Sequence, residues 1–258
     1  MKRLKKTLGF LIRLTMLNLF SMVIAILVPC IFLKKPQDYT LVLIVFSYLI
    51  TFALLYYFPK HFKDLLSTQK VKTVSVKKSF FIILFGFGFG FSVILLTCIF
   101  YSDKFFPSYG EVNSKILSQS NLIINIICTV LLIPVCEEIM FRGIIFNFFK
   151  KNYSLTTSII LQSLIFGISH GNVLQGIYTF IGGILLSLIC LYCDSIAGSI
   201  LLHIVFNLFG SVILPSLLFK QNSINYLIVI IGVIVFIFST FKILADYKTC
   251  TNNVSNLS

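Results

Sequence analysis

The chain has 258 residues, of which 58% are hydrophobic and only 11% charged, and its mean hydropathy is +1.00. A composition this apolar excludes a soluble core-and-surface partition and defines an integral membrane protein. The formal net charge of +13 would suggest nucleic-acid binding in a soluble protein; here the basic residues cluster between apolar runs, which fits topology control and contact with anionic lipid instead, so no nucleic-acid partner is expected.

A transmembrane helix needs about 20 apolar residues. Such runs lie at about 8–33, 40–58, 79–101, 121–149, 154–170, 173–193, 196–218 and 224–245. The first follows Met1-Lys2-Arg3-Leu4-Lys5-Lys6 and imitates a signal peptide. It outlasts a normal apolar signal region and contains Arg13, so it is read as an uncleaved span, and Pro29 spoils the faint lipoprotein-like site before Cys30. The fifth run is short, and the count falls to seven if 154–170 is re-entrant. The expected fold is an all-α integral membrane protein, a bundle of about eight transmembrane helices around an intramembrane polar cavity, in a single polytopic domain over residues 1–258.

Basic residues set the orientation. With the N-terminus in the cytoplasm, the inner segments hold fifteen Lys and Arg residues (Lys2 to Lys6 and Arg13, Lys60 to Lys78, Lys150, Lys151, Lys242 and Lys248). The outer segments hold five: Lys34, Lys35, Lys104, Lys115 and Lys220. That asymmetry places both termini inside, provided the span count is even. Neither long loop, Pro59–Lys78 inside or Ser102–Ser120 outside, is large enough for a soluble domain. Phe85 to Gly90 alternates Phe and Gly; no strand precedes it, so Gly86 and Gly90 read as a close helix-packing pair and not as a nucleotide loop. The seven cysteines are scattered, mostly within apolar runs, and Cys190-x-x-Cys193 has no second pair, so packing is preferred to zinc or redox chemistry.

Against this background Glu137, Glu138 and Arg142 stand out, because each costs roughly 2.5–3.5 kcal/mol near a bilayer centre on insertion scales. Glu138 and Arg142 (i, i+4) share a helix face and can pair, whereas Glu137 points about 100° away and is left to face the bundle interior. Two of the three histidines, His170 and His203, fall within or at the edge of apolar spans, while His61 lies in the basic loop. A lone membrane histidine often only bonds a neighbouring helix; two histidines alongside a Glu pair point further. Phe166 and His170 repeat the i, i+4 spacing on the fifth span, and His203 and Asn207 on the seventh. Counted from the presumed cytoplasmic ends, Glu137 comes out about 18 Å deep, His170 about 24 Å, His203 about 11 Å and Asn207 about 17 Å. These values bracket the midplane, with His170 the outlier, whose helix is expected to be tilted, kinked at Gly167, or started later.

Glu137-Glu138-x-x-x-Arg142, Phe166-x-x-x-His170 and His203-x-x-x-Asn207 resemble, in order, the three signature motifs of the CPBP intramembrane protease family (Abi, or CAAX protease-like), which includes the type II CAAX prenyl endopeptidases. The resemblance covers about residues 120–220. It implies peptide-bond hydrolysis inside the membrane, on a membrane-associated or lipidated peptide or protein. Glu137, helped by His170, would activate a water; His203 and Asn207 would stabilise the oxyanion; Glu138 and Arg142 would fix the helix carrying the base.

Other chemistries fit less well. No serine stands in a triad-like relation to either histidine, and Cys136 points away from Glu137 with no histidine on its own helix. Glu137, His170 and His203 form an acceptable set for a divalent ion such as zinc, but the compact H-E-x-x-H arrangement is absent, and no cofactor is required. The rival from another class is a non-catalytic relative, a bacteriocin self-immunity factor or a membrane signalling scaffold. A proton-coupled transporter would show paired half-sequences, and none are present. Substrate and oligomeric state are not legible.

Overall fold

The computed structural model of the chain describes residues 2–32, 36–57, 71–100, 122–214 and 226–255. The basic loop with Lys60, His61, Lys63 and Lys70, the loop 102–120, and Lys34, Lys35 and Lys220 lie outside the described residues, as do the side chains of Cys98, Lys248 and Cys250. Among the described residues there is no strand. In chain order the helices are α1 (Lys2–Phe32), α2 (Thr40–Tyr57), α3 (Val76–Phe100), α4 (Leu122–Asn152), α5 (Leu155–Ile168), α6 (Val173–Cys193), α7 (Ile196–Ile213) and α8 (Tyr226–Ser255), with one 3-10 turn at Pro36–Tyr39.

Seven of these are long and apolar enough to cross a membrane; the exception is α5. Its 14 residues rise about 21 Å, short of the roughly 30 Å hydrocarbon core. The fifth span expected at 154–170 therefore ends early, and the cause is local. Gly171 adopts a left-handed backbone (φ 68°), its N–H bonds back to Ile168, and the Asn172 side chain then caps α6 by accepting from Gln175 N–H at 3.1 Å. A helix that meets a left-handed glycine followed by a new N-cap has to stop.

Two of the long helices are not uniformly α. In α4 the ladder widens to π geometry at Cys128–Leu132 and at Ile139–Ile145, and α7 finishes as a π segment, Asn207–Ile213. Pro134 accounts for the first: it lacks an N–H and its ring crowds the carbonyl four residues back, so a widened turn just before it absorbs the conflict.

The chain forms two compact units. The first comprises residues 1–69 and 112–158, hence α1, α2, α4 and the start of α5. Within it α2 packs on α1 and on α4, and the rings of Phe10 and Phe148 stack 3.7 Å apart. The start of α1 is tied to the end of α4: Lys6 Nζ donates to Asn152 Oδ1 at 2.9 Å and Thr7 pairs with the Tyr153 hydroxyl at 2.7 Å. The start of α1 and the end of α4 therefore lie at one end of this unit.

The second unit, residues 70–111 and 159–258, holds the rest of α5 with α3 and α6 to α8. Here α3 is the central element, packed on α7 and α8, and its Phe-Gly alternation explains why. A Cβ at Gly86 would lie 2.9 Å from Val205, one at Gly90 3.2 Å from the Gly210 backbone, and one at Gly88 only 2.5 Å from the Phe236 backbone. The i, i+4 glycines thus admit α7, and the glycine between them, about 200° round the helix, admits α8. The packing role read from the sequence holds. Gly88→Ala is expected to cost about 1–3 kcal/mol through overpacking against backbone. Thermal unfolding in detergent checks this, with Gly9→Ala as the neutral control, since nothing lies within 4 Å of a Cβ there.

One face of this unit gathers the start of α3, the α6–α7 turn and the end of α8. Lys77 pairs with Asp246 at 2.6 Å, and Asp246 also accepts from the Tyr192 hydroxyl. Lys78 donates to the Tyr192 carbonyl at 2.9 Å, and Ser195 both accepts from Lys72 N–H and donates to Lys72 O. All of these ends belong to the side that the charge count assigned to the cytoplasm.

Candidate functional site

The acidic motif sits in the middle of α4. Arg142 Nη1 donates to Glu138 Oε1 at 2.7 Å, and both side chains are fully buried. The i, i+4 partnership read from the sequence is present, although Arg142 lies on the π segment that starts right after Glu138. A wider turn keeps these two groups on one side and leaves the bond intact. Phe141, Ile144 and Phe146 are buried around the motif, so the pair is held in an apolar setting. There it is strong in the Coulomb sense yet costly in desolvation, and the loss of either partner would strand the other.

Glu137, one residue earlier, is only partly buried. Its carboxylate interacts electrostatically with the Cys136 thiol and with the phenol of Tyr48 on α2. The sequence reading missed Tyr48. It belongs to another helix far away in the chain, and no i, i+4 rule can connect it to Glu137.

In the second unit the two motif histidines meet one ring. Phe166, 2% exposed, packs edge-to-face against His170 with centroids 4.9 Å apart and against His203 at 5.9 Å. The phenylalanine of the second motif is therefore the spacer that sets the two imidazoles. His170 does not lie on α5 itself, as its i, i+4 spacing to Phe166 suggested; it occupies the turn two residues beyond the helix end, for the reason given above. The spacing still has an effect. His170 Nδ1 lies 2.8 Å from the Phe166 carbonyl oxygen. A carbonyl can only accept, so Nδ1 carries the proton and the neutral imidazole keeps its lone pair on Nε2.

His203 is buried near the end of the α portion of α7, and Asn207 opens its π segment. The Asn207 N–H still bonds the carbonyls of His203 and Ile204, so the i, i+4 relation survives the change of helix type. Two contacts hold these elements. Gly86 of α3 abuts Leu202 and Val205, on either side of His203. The α5–α6 hairpin that presents His170 is joined by Gln162, whose amide nitrogen bonds Gly183 O at 3.1 Å and Ser187 Oγ at 2.6 Å. Small residues allow this approach: a Cβ at Gly183 would lie 2.9 Å from Ser163, and one at Gly167 2.7 Å from the Gly176 carbonyl. The sequence reading did not use this polar cluster, though a glutamine and several serines within an apolar run were visible as a signal.

Within either unit, the described His, Cys, Asp and Glu residues form no group of three that could hold a metal ion. The three donors named from the sequence are divided: Glu137 belongs to the first unit, His170 and His203 to the second. The open Nε2 of His170 is a suitable ligand atom.

Seven apolar spans carrying buried ionisable and imidazole groups define a multi-pass helical membrane protein with polar motifs inside its spans. Residues 119–209, about a third of the chain, match the family model described as type II CAAX prenyl endopeptidase Rce1-like. All three motifs fall inside the matched segment. No curated protein and no solved structure matches the chain.

Proposed function

We propose that this protein is an intramembrane endopeptidase that hydrolyses a peptide bond of a membrane-associated or lipidated substrate. The observation that carries the reading is the division of labour between adjacent carboxylates. Glu138 is fully buried on Arg142 at 2.7 Å, which leaves the partly buried Glu137 as the carboxylate able to meet a substrate. Glu137 takes a proton from water as its oxygen attacks the scissile carbonyl, and returns that proton to the amide nitrogen as the C–N bond breaks. His170, protonated on Nδ1 and open at Nε2, accepts or returns a proton at that single atom. The His203 imidazole and the Asn207 amide donate to the oxyanion, where water-excluded donors count most. Arg142 and Glu138 hold the turn that carries the base. The scheme above runs on these side chains and needs no metal ion.

The mechanism requires the Glu137 segment and the two histidines to act on one substrate. We also propose, from the asymmetry of basic residues, that both termini face the cytoplasm. Support for that orientation comes from each unit separately, since the basic helix ends within a unit share a face. The test is a comparison of membrane peptidomes from cells carrying the wild type and Glu137→Gln. Accumulation of an uncut peptide in the variant, with its fragments in the wild type, is the expected result. Identical peptidomes, together with full immunity or signalling function of the variant, would establish the scaffold reading instead.

A further inference from the structure

We infer that the end of the first unit where α1 begins and α4 finishes is a binding site for an anionic phospholipid, its phosphate held by Lys6 and Arg13 and its acyl chains lying along α1. The site is separate from the polar motifs, and most of it falls on α1, which the family match does not cover.

The two units treat their cations differently. In the second, Lys72 pairs with Asp194 and Lys77 with Asp246, and Lys78 donates to the Tyr192 carbonyl. In the first, Lys2, Arg3, Lys6, Lys150 and Lys151 stand exposed at one end, and no described carboxylate stands with them. The described Asp and Glu residues of this unit are Asp38, past the far end of α1, and Glu137 and Glu138, in the middle of α4. The contacts these cations do make are neutral. Lys6 Nζ donates to Asn152 Oδ1 at 2.9 Å. The Arg3 guanidinium lies 5.7 Å from the centre of the Tyr153 ring, and Lys150 Nζ 4.8 Å from that of Phe146. Such contacts orient the side chains and leave their charge uncompensated.

Arg13 carries the patch into the span. It lies seven residues past Lys6, about 10 Å along the axis, and on nearly the same face at 100° per residue. Its Nε donates to Gly9 O at 2.9 Å, one turn back toward the helix start. The guanidinium therefore reaches toward the level of Lys6, as a long cation in a span does when it snorkels. Beyond Arg13 the same face continues with Met16, Phe20, Val23 and Leu27, all exposed, over about 16 Å. A cationic head and a long apolar run on one helix face match a ligand with an anionic phosphate and hydrocarbon chains. An acidic peptide or a nucleic acid would meet the cations and leave that apolar run unmatched. Lys6 and Thr7 also bind the end of α4, so a lipid seated here braces the helix that bears Glu137 and Glu138.

The experiment uses the full chain in detergent, with bound lipid read by native mass spectrometry. Phosphatidylglycerol is expected to bind at least about tenfold more tightly than phosphatidylcholine, whose phosphate is offset by its own cation. Glycerol phosphate, the same anion without chains, should not compete. In the double variant Lys6→Gln with Arg13→Gln, phosphatidylglycerol affinity should fall about thirtyfold, the effect of two cations at a headgroup. Lys72→Gln with Lys77→Gln removes as much charge from the second unit and should leave the affinity unchanged. A second readout needs no variant: phosphatidylglycerol with a diazirine in its acyl chain should photolabel α1 within residues 14–27, and unlabelled phosphatidylglycerol, not phosphatidylcholine, should displace it. Equal affinity for the two lipids, competition by glycerol phosphate, or the same affinity in both double variants would overturn the inference. Label confined to other helices would overturn it as well, even if the Lys6 and Arg13 variant fails to fold.

Discussion

Glu137→Gln is expected to reduce turnover by about 10²–10⁴-fold, the range that a positioned general base supplies. Membrane insertion and thermal stability should be unaffected. The amide is nearly isosteric with the carboxylate, and residue 137 is only partly buried. The substitution removes a proton acceptor without leaving a void or a stranded ion. Cleavage rates in proteoliposomes, on the peptide identified from the peptidome comparison, measure the effect. A variant that retains wild-type rates would remove Glu137 from the chemistry.

Glu138→Ala should have the opposite profile: a loss of about 3–5 kcal/mol in stability, because it leaves the Arg142 guanidinium, fully buried, without its carboxylate. Arg142→Ala should cost a similar amount by stranding Glu138. The double replacement Glu138→Leu with Arg142→Met should recover much of the loss, since two apolar groups of similar bulk need no partner in that setting. Unfolding in detergent gives the three values, and their non-additivity measures the coupling. Additive losses in the cycle would show that the two groups are independent and that the 2.7 Å contact has no energetic meaning.

The sequence made the helical membrane architecture legible because apolar length is a sufficient signal for a span. It also made visible whatever lies within one helical turn. The Glu138–Arg142 pair and the roles of Gly86 and Gly90 follow from i, i+4 spacing, and both are present. Three features were not read. The end of α5 at Ile168 was placed two residues late, although the Gly171-Asn172 pair carried the punctuation of a helix stop and a new cap. The π segments leave little trace in hydropathy, and only Pro134 hints at one. The electrostatic interaction of Tyr48 with Glu137 joins α2 to α4, and no local rule reaches that far. All eight expected helices are present; seven are long and apolar enough to cross a membrane, and α5 is the shorter one.

The fact that Glu138 and Arg142 belong to a single helix has a consequence for biogenesis. An ion pair assembled from two helices exists only after both have been delivered to the bilayer, so each charge would have to enter alone. Here the partner is four residues downstream, and the pair closes as soon as one turn of α4 has wound. The insertion machinery therefore meets these two charges as one closed pair, and neither has to wait for a later helix to compensate it.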